Sequence, residues 1–249
     1  MYKYSGVTID SNNNLVFDWS GKSPDQVLSL TPGRRTAKAW NPFEKQNLGF
    51  PIYSVYKINP SKQSPEVLKA LKGKSTVYEV SHEDYGDFIN KGAIFAARLV
   101  SKMPEIDVIL AIPSSSELVH DFVSAVRRKL SVPIVVYKHL SVIGKNSVDA
   151  ITVSEDAPDV ARTIIMKEKQ KLIAAGITSF STKKIPPRFR SFIRNMFAVN
   201  THPEIFAGKN VLLVDDILTT GTSFENTAVV LNAMNVGAIT GLTLIKSED

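Results

Sequence analysis

The run Val211-Leu212-Leu213-Val214-Asp215-Asp216-Ile217-Leu218-Thr219-Thr220-Gly221-Thr222-Ser223 holds the residue types best suited to chemistry. It reads as a buried strand ending in two carboxylates, then a hydroxyl-rich loop, then the start of a helix. Loop amides and a helix N-terminus bind phosphate, and Thr and Ser hydroxyls add donors. Gly221 lets the backbone approach a ligand closely. Two carboxylates at a strand end accept hydrogen bonds from a vicinal diol such as that of ribose. A ligand with a diol at one end and a phosphate at the other is a ribose 5-phosphate. For a bare Asp-Asp pair, a capped β–α turn with solvated carboxylates is the simpler reading. The whole run favours the ligand.

Such a loop needs a sheet to carry it. Asn210–Val214 reads as one buried strand, Ser223–Asn235 as a helix, and Ala238–Lys246 as a final strand. Upstream, Asp107–Pro113 is a continuous apolar run, which suits a strand of a parallel sheet covered on both faces. Ser114-Ser115-Ser116 follows as a loop, Glu117–Leu130 as a helix and Val132–Tyr137 as another buried strand. This β-loop-α-β order predicts an α/β fold with a mainly parallel twisted sheet and helices on both faces. Ser81 is placed to cap a helix from about Tyr85 to Lys102.

Residues 1–80 are turn-rich and read as an N-terminal, β-containing extension and a possible hood. Val7–Asp10, Ser11–Asn14 and Leu15–Trp19 form a strand–turn–strand pattern. Ser23-Pro24 and Ser64-Pro65 each suit a helix start. Val67, Leu68 and Leu71 then share one helical face, and Gly73 is a stop. Residues 81–249 read as the core domain. Within it, 139–209 is a long interruption, with a helix over Pro158–Ala175 and a basic segment around Pro186-Pro187. A connection of this length is more often functional than idle.

The chain of 249 residues is 43% hydrophobic and has 13 Gly and 13 Pro, as a globular protein with a sizeable core does. It has no cysteine, which excludes disulfides, thiolate metal sites and cysteine nucleophiles. The amino terminus lacks the apolar run of a signal peptide, and no stretch is long enough to span a membrane. A cytoplasmic location is the expectation. The net charge of +6 suits anionic ligands, from small phosphates to nucleic acid. Lys183, Lys184, Arg188, Arg190 and Arg194 fall in one window without an acid and carry nearly the whole excess. His82, His120, His139 and His202 are too scattered to suggest a metal site.

The Val211–Ser223 run closely resembles the 5-phosphoribosyl-1-pyrophosphate (PRPP) motif of the type I phosphoribosyltransferases: an apolar strand, two acids, two apolar residues, then Thr-Thr-Gly-Thr. By that resemblance, Asp215 and Asp216 hold the ribose 2- and 3-hydroxyls. Thr219, Thr220, Gly221, Thr222 and Ser223 cradle the 5-phosphate. Ser114, Ser115 and Ser116 sit where the family has its pyrophosphate loop, though an ordinary polar turn reads the same. Lys138 is similar to a lysine that contacts pyrophosphate, and also to a plain surface lysine. Arg194-Asn195-Met196-Phe197 followed by Ala207-Gly208-Lys209-Asn210 looks like the competence protein F-like members. The resemblance covers residues 81–246, with nothing matched before them.

The resemblance implies displacement of pyrophosphate from C1 of PRPP through an oxocarbenium-like transition state. Mg²⁺ would be held indirectly at Asp215 and Asp216, through ribose hydroxyls or water. Arg188, Arg190 and Arg194 would then contact pyrophosphate from a mobile lid that excludes water. A solvated charged loop and a nucleic-acid patch are the other readings of that segment. Thr219 stands where many purine-salvage members have an acid, and the residues after Ser223 suffice for one helix and one strand. Both features weigh against hypoxanthine–guanine salvage, and the acceptor stays open. A PRPP-sensing regulator or nucleic-acid-associated protein without turnover is the alternative. A two-domain PRPP synthetase lacks its second motif and its ATP site, and transfer to an acceptor that is not a base is a further option. A homodimer is implied by the resemblance alone.

Overall fold

The computed structural model describes residues 6–18, 28–30, 49–58, 64–101, 103, 105–114, 116–130, 135–136, 143–200 and 203–246. The elements run β1 Gly6–Ile9, β2 Leu15–Asp18, β3 Leu28–Leu30, β4 Ile52–Ile58, α1 Ser64–Leu71, α2 His82–Val100, β5 Val108–Ala111, α3 Glu117–Lys129 and β6 Val135–Val136. The insertion holds β7 Ile143–Lys145, β8 Thr152–Val153, α4 Asp159–Ala174, α5 Pro187–Arg190, β9 Ile193–Arg194 and β10 Phe197–Val199. The chain then returns through β11 Val211–Leu218, α6 Thr222–Ala233 and β12 Ile239–Lys246.

One sheet organises the molecule, in the order β2-β1-β3-β4-β12-β11-β5-β6. The pairings from β4 through β12, β11 and β5 to β6 are all parallel. The pairings among β1, β2, β3 and β4 are antiparallel. Helices α1, α2 and α3 pack on one face with Leu212, Val214, Leu242 and Leu244 beneath them. On the other face, α6 buries Phe224, Ala228 and Leu231 against Val211, Leu213 and Ile52. The α/β architecture with helices on both faces is therefore the one expected.

Local chemistry explains the boundaries. Ser81 accepts a hydrogen bond from the Asp84 N–H at 3.0 Å and so caps α2, which starts three residues earlier than its apolar pattern suggests. Gly73 takes φ +64° just after α1, a conformation that suits glycine at a helix stop. Of the expected strand over Val132–Tyr137, only Val135 and Val136 lie among the described residues. The Ser23-Pro24 start lies outside them, as does Trp19.

Two findings differ from the sequence reading. The strand of the motif does not end at its carboxylates. β11 runs on to Leu218, because β12 continues beside it, with Asp215 opposite Thr243, Ile217 opposite Ile245 and Leu218 opposite Lys246. Secondly, β4 lies inside the parallel block although nothing before residue 80 matched a known pattern. Its Ile52, Ser54, Val55, Tyr56 and Ile58 are buried without strict alternation, because both faces are covered. The sheet thus crosses residue 80 without a break, and β1–β3 form its antiparallel edge.

The insertion has a small apolar core of its own. Ala161, Ile165 and Leu172 on one side of α4 pack with Val148, Ile151, Phe180, Ile185, Phe189, Phe192 and Ile193. Lys169 donates to the Asp149 and Ile151 carbonyls at 2.7 and 2.8 Å, which closes the turn before β8.

A close approach sets where α6 begins. A Cβ on Gly241 of β12 would stand 2.7 Å from Ile52 Cγ1 and 3.0 Å from Phe224 Cε1. Phe224 lies in the first turn of α6, so this contact seats the helix on the sheet. We expect Gly241→Ala to lower stability by about 1–3 kcal/mol through overpacking. Urea unfolding should show a lower midpoint at an unchanged m-value, and an unchanged midpoint would refute the assignment.

Candidate functional site

Strand β11 carries Asp215 and Asp216 at its C-terminal half, the end of a parallel sheet where ligands bind. Successive side chains of a strand point to opposite faces. Leu212 and Val214 belong to the α1–α3 face, and Val211 and Leu213 to the α6 face. Asp216 follows the first pair and Asp215 the second. Both acids are buried, and of the two only Asp215 lines the pocket formed by the Thr219–Ser223 loop.

Each acid meets its burial differently. Asp216 forms an ion pair with Lys72 at 2.8 Å, just beyond the end of α1. Asp215 accepts the Asp216 N–H at 2.8 Å. Burial first, and the neighbouring Asp216 charge second, push the Asp215 carboxyl up to about 8.

Asp215 faces a small, open, polar cleft, lined also by Thr219, Thr220, Gly221, Thr222, Ser223 and Phe224 and by Thr182 and Arg190 of the insertion. Gly221 has φ +75° and precedes the first residue of α6, which aims the first helical amides into this space. The Thr220 and Thr222 hydroxyls are buried and lie 2.9 Å apart, so one donates to the other. Thr219 is exposed at the rim.

The other expected site residues lie elsewhere. Arg188 is exposed and covers the Phe189 ring, with its guanidinium carbon 4.7 Å from the centroid. Arg194 pairs with Glu225 of α6 at 3.3 Å and donates to the Ile193 carbonyl at 3.2 Å and to the Ser191 carbonyl. Ser114 and Ser116 do not line the pocket. The Ser114 hydroxyl accepts the Ser116 N–H at 3.1 Å, and the Ser116 hydroxyl accepts the Leu118 N–H at 3.3 Å as the cap of α3. Ser115 and Lys138 lie outside the described residues.

Two residues that the sequence reading did not single out belong to the site's frame. Lys72 is one. The other is Asn226, buried in α6, which donates to the Ile193 and Thr222 carbonyls at 3.0 Å each and accepts the Met196 N–H at 3.2 Å. A pair of neighbouring buried acids was a signal that a cation must lie nearby, though not which one. Nothing in the sequence sets Asn226 apart from a solvated helix residue.

Among the described residues, no group of three or more His, Asp or Glu side chains could hold a metal ion. No helix among them is long and apolar enough to cross a membrane. The pocket offers Asp215 as a hard oxygen donor. That fits Mg²⁺, which keeps several waters and takes few protein ligands.

Residues 85–247 match the family profile described as phosphoribosyl transferase domain. The chain belongs to the phosphoribosyltransferase family. The matched span contains β11, the pocket loop and the whole insertion. No curated protein matches the chain. Among solved structures, it is similar to a hypoxanthine phosphoribosyltransferase from Staphylococcus aureus, at 13% identity and TM-score 0.37, with 65% of this chain and 64% of that chain covered. A Trypanosoma cruzi hypoxanthine phosphoribosyl transferase is similar at 13% and 0.34, with 65% and 66% covered. An adenine phosphoribosyltransferase from Leishmania tarentolae is similar at 13% and 0.36, with 97% and 94% covered. The chain thus spans about two thirds of the length of those two hypoxanthine enzymes.

The electrostatics of the two acids have two measurable consequences. Asp215 ionises at 3.8 in an unfolded chain and near 8 in the fold, so between those values the folded state holds a proton that the unfolded state has lost. Stability of the ligand-free protein therefore falls as pH rises from about 4 to about 8 and then levels. Thermal unfolding across that range should show the decline in the wild type and a much flatter profile in Asp215→Asn. Parallel profiles would contradict the assignment. For the other acid, Lys72→Met leaves Asp216 buried without its counter-ion and should cost about 1–3 kcal/mol. Adding Asp216→Asn to that variant should recover most of the loss in denaturant unfolding.

Proposed function

We propose that the protein is a phosphoribosyltransferase that binds PRPP and releases pyrophosphate as an acceptor takes the ribosyl phosphate at C1. The observation that carries this reading is the pocket itself. A buried carboxylate, a run of hydroxyls and a glycine-opened helix start face one space at the C-terminal end of a central parallel strand. Diol and phosphate are the two groups such walls bind best.

The chain's own residues position and hold. The loop amides of 219–223, with the Thr220, Thr222 and Ser223 hydroxyls, receive the 5-phosphate. Asp215 accepts from the ribose hydroxyls, and once ionised it favours positive charge developing at the anomeric centre. Asp216 acts from behind, where its pair with Lys72 keeps the strand end rigid. When bound, Mg²⁺ would supply charge neutralisation for the departing pyrophosphate, with Asp215 contributing through water or ribose hydroxyls. Ser114 and Ser116, which follow β5 beside β11, stand on the pyrophosphate side of the site in this reading. Within the family, the Arg194–Phe197 element favours the competence protein F-like members.

A second reading, a PRPP-sensing or nucleic-acid-associated protein without turnover, draws on the exposed Lys183 and Arg188 of the insertion. It requires nucleic-acid binding that weakens with salt and with removal of those charges.

The test is calorimetric titration of PRPP with Mg²⁺, alongside the Asp215→Asn/Asp216→Asn double variant. We expect micromolar-range binding in the wild type and its loss in the variant. Acceptor-dependent pyrophosphate release should disappear in the same variant. A folded wild type that binds no PRPP defeats the proposal. PRPP binding without release over a wide acceptor panel favours the sensing reading.

A further inference from the structure

The pocket contains one group that the loop's own chemistry does not account for. Residues 219–223 offer amides and hydroxyls and no cation, yet Arg190 lines the same space, together with Thr182. We propose that Arg190, assisted by Thr182, binds the 5-phosphate end of the ligand, and that the insertion is a fixed wall of that subsite. This deepens the reading of the pocket as a PRPP site and rests on it. It also moves Arg190 from the pyrophosphate side, where the sequence reading put it.

Placement is the first argument. Arg190 shares its pocket with Thr219–Ser223, and Ser114 and Ser116 at the end of β5 are not among that pocket's lining residues. Charge is the second. A phosphate monoester carries up to two negative charges, and a guanidinium meets two of its oxygens at once in a planar fork. Lys72 cannot serve, because it is bound to Asp216 on the opposite face of the sheet. Orientation is the third. Arg190 Nε donates to the Ile185 carbonyl at 2.8 Å, which fixes the plane of the group.

The fourth argument concerns motion. A lid must swing, whereas this segment is bolted to the phosphate-binding helix. Asn226 of α6 holds both the Ile193 carbonyl and the Met196 N–H. Arg194 pairs with Glu225 in the first turn of α6, and Phe197 is buried in the core under that helix. Phe189, between Arg188 and Arg190, is anchored in the insertion's own core. Arg190 therefore keeps its place relative to the loop amides. Its neighbour Arg188 points outward.

The experiment compares two ligands on the full chain. Ribose 5-phosphate, and PRPP with Mg²⁺, are titrated into the wild type and Arg190→Gln. A lost charge-assisted contact predicts about tenfold or more weaker binding of ribose 5-phosphate, with an equal factor for PRPP. Arg190→Lys keeps the charge without the fork and should show a smaller loss, equal again for the two ligands. It also carries the test if Arg190→Gln does not fold. A variant that weakens PRPP while ribose 5-phosphate binds as before places Arg190 on pyrophosphate and overturns the proposal. So does a variant that weakens neither, or a wild type that binds PRPP but not ribose 5-phosphate. A wild type that binds neither ligand overturns the PRPP reading as well.

Discussion

Side chains alternate across a strand, and in β11 that constraint separates two neighbouring acids. Had the strand stopped before Asp215, both carboxylates could have turned into one loop. Because β12 keeps pairing as far as Lys246, β11 stays extended through Leu218 and sends each acid to a different face. Two buried charges then need two remedies. Asp216 finds Lys72 on the α1–α3 side. Asp215, on the α6 side, is held in its neutral form up to about pH 8 by burial and by the charge of Asp216. Protonated, Asp215 leaves the pocket less negative than its sequence suggests, which suits the anionic ligand we propose for it.

The same face carries the helix whose amides aim at that ligand, and two contacts decide where the helix sits. Phe224 rests on Gly241 from below. From the side, Asn226 and Glu225 tie the first turns of α6 to residues 193–196. A buried asparagine whose hydrogen bonds are met by two separate chain segments is costly to misplace, since any slip strands polar groups out of water. The insertion has enough apolar core to keep its shape and enough polar fastening to keep its position. A long excursion from the sheet becomes in this way a wall of the pocket.

What was legible in the sequence was local. Among the described residues, the strands and helices with continuous or periodic apolar runs lie where the pattern put them, within a few residues at their ends, and the expected cap at Ser81 is satisfied. That Thr219 to Ser223 line one pocket was legible because they are adjacent in the chain, between a strand and a helix start. β4 was not, since it is covered on both faces and Ser54 and Lys57 interrupt it, leaving neither strict alternation nor a continuous apolar run to distinguish it. Lys72, Asn226 and Thr182 were illegible for a different reason. Their roles come from partners far away in sequence, and no spacing rule reaches across that distance. The basic window told the type of charge near the site but not which arginine enters it. Phe189 decides that, by burying itself and turning Arg188 and Arg190 to different sides.

This division has a consequence for how the protein is specialised. The strand, loop and helix start that line the pocket form one short continuous stretch with tight local demands: Gly221 needs its positive φ, and Phe224 needs the bare Gly241 beneath it. The parts that set charge and shape around that stretch come from beyond the end of α1, with Lys72, and from the insertion, with Thr182 and Arg190. A fold supplies a platform, and the distinguishing chemistry is attached to it. Here the attachment is physical and specific. Two side chains of α6, Asn226 and Glu225, join the platform to the segment that brings Arg190 to the pocket, so strand, loop and insertion meet at the helix whose first turn carries Thr222 and Ser223 of the lining.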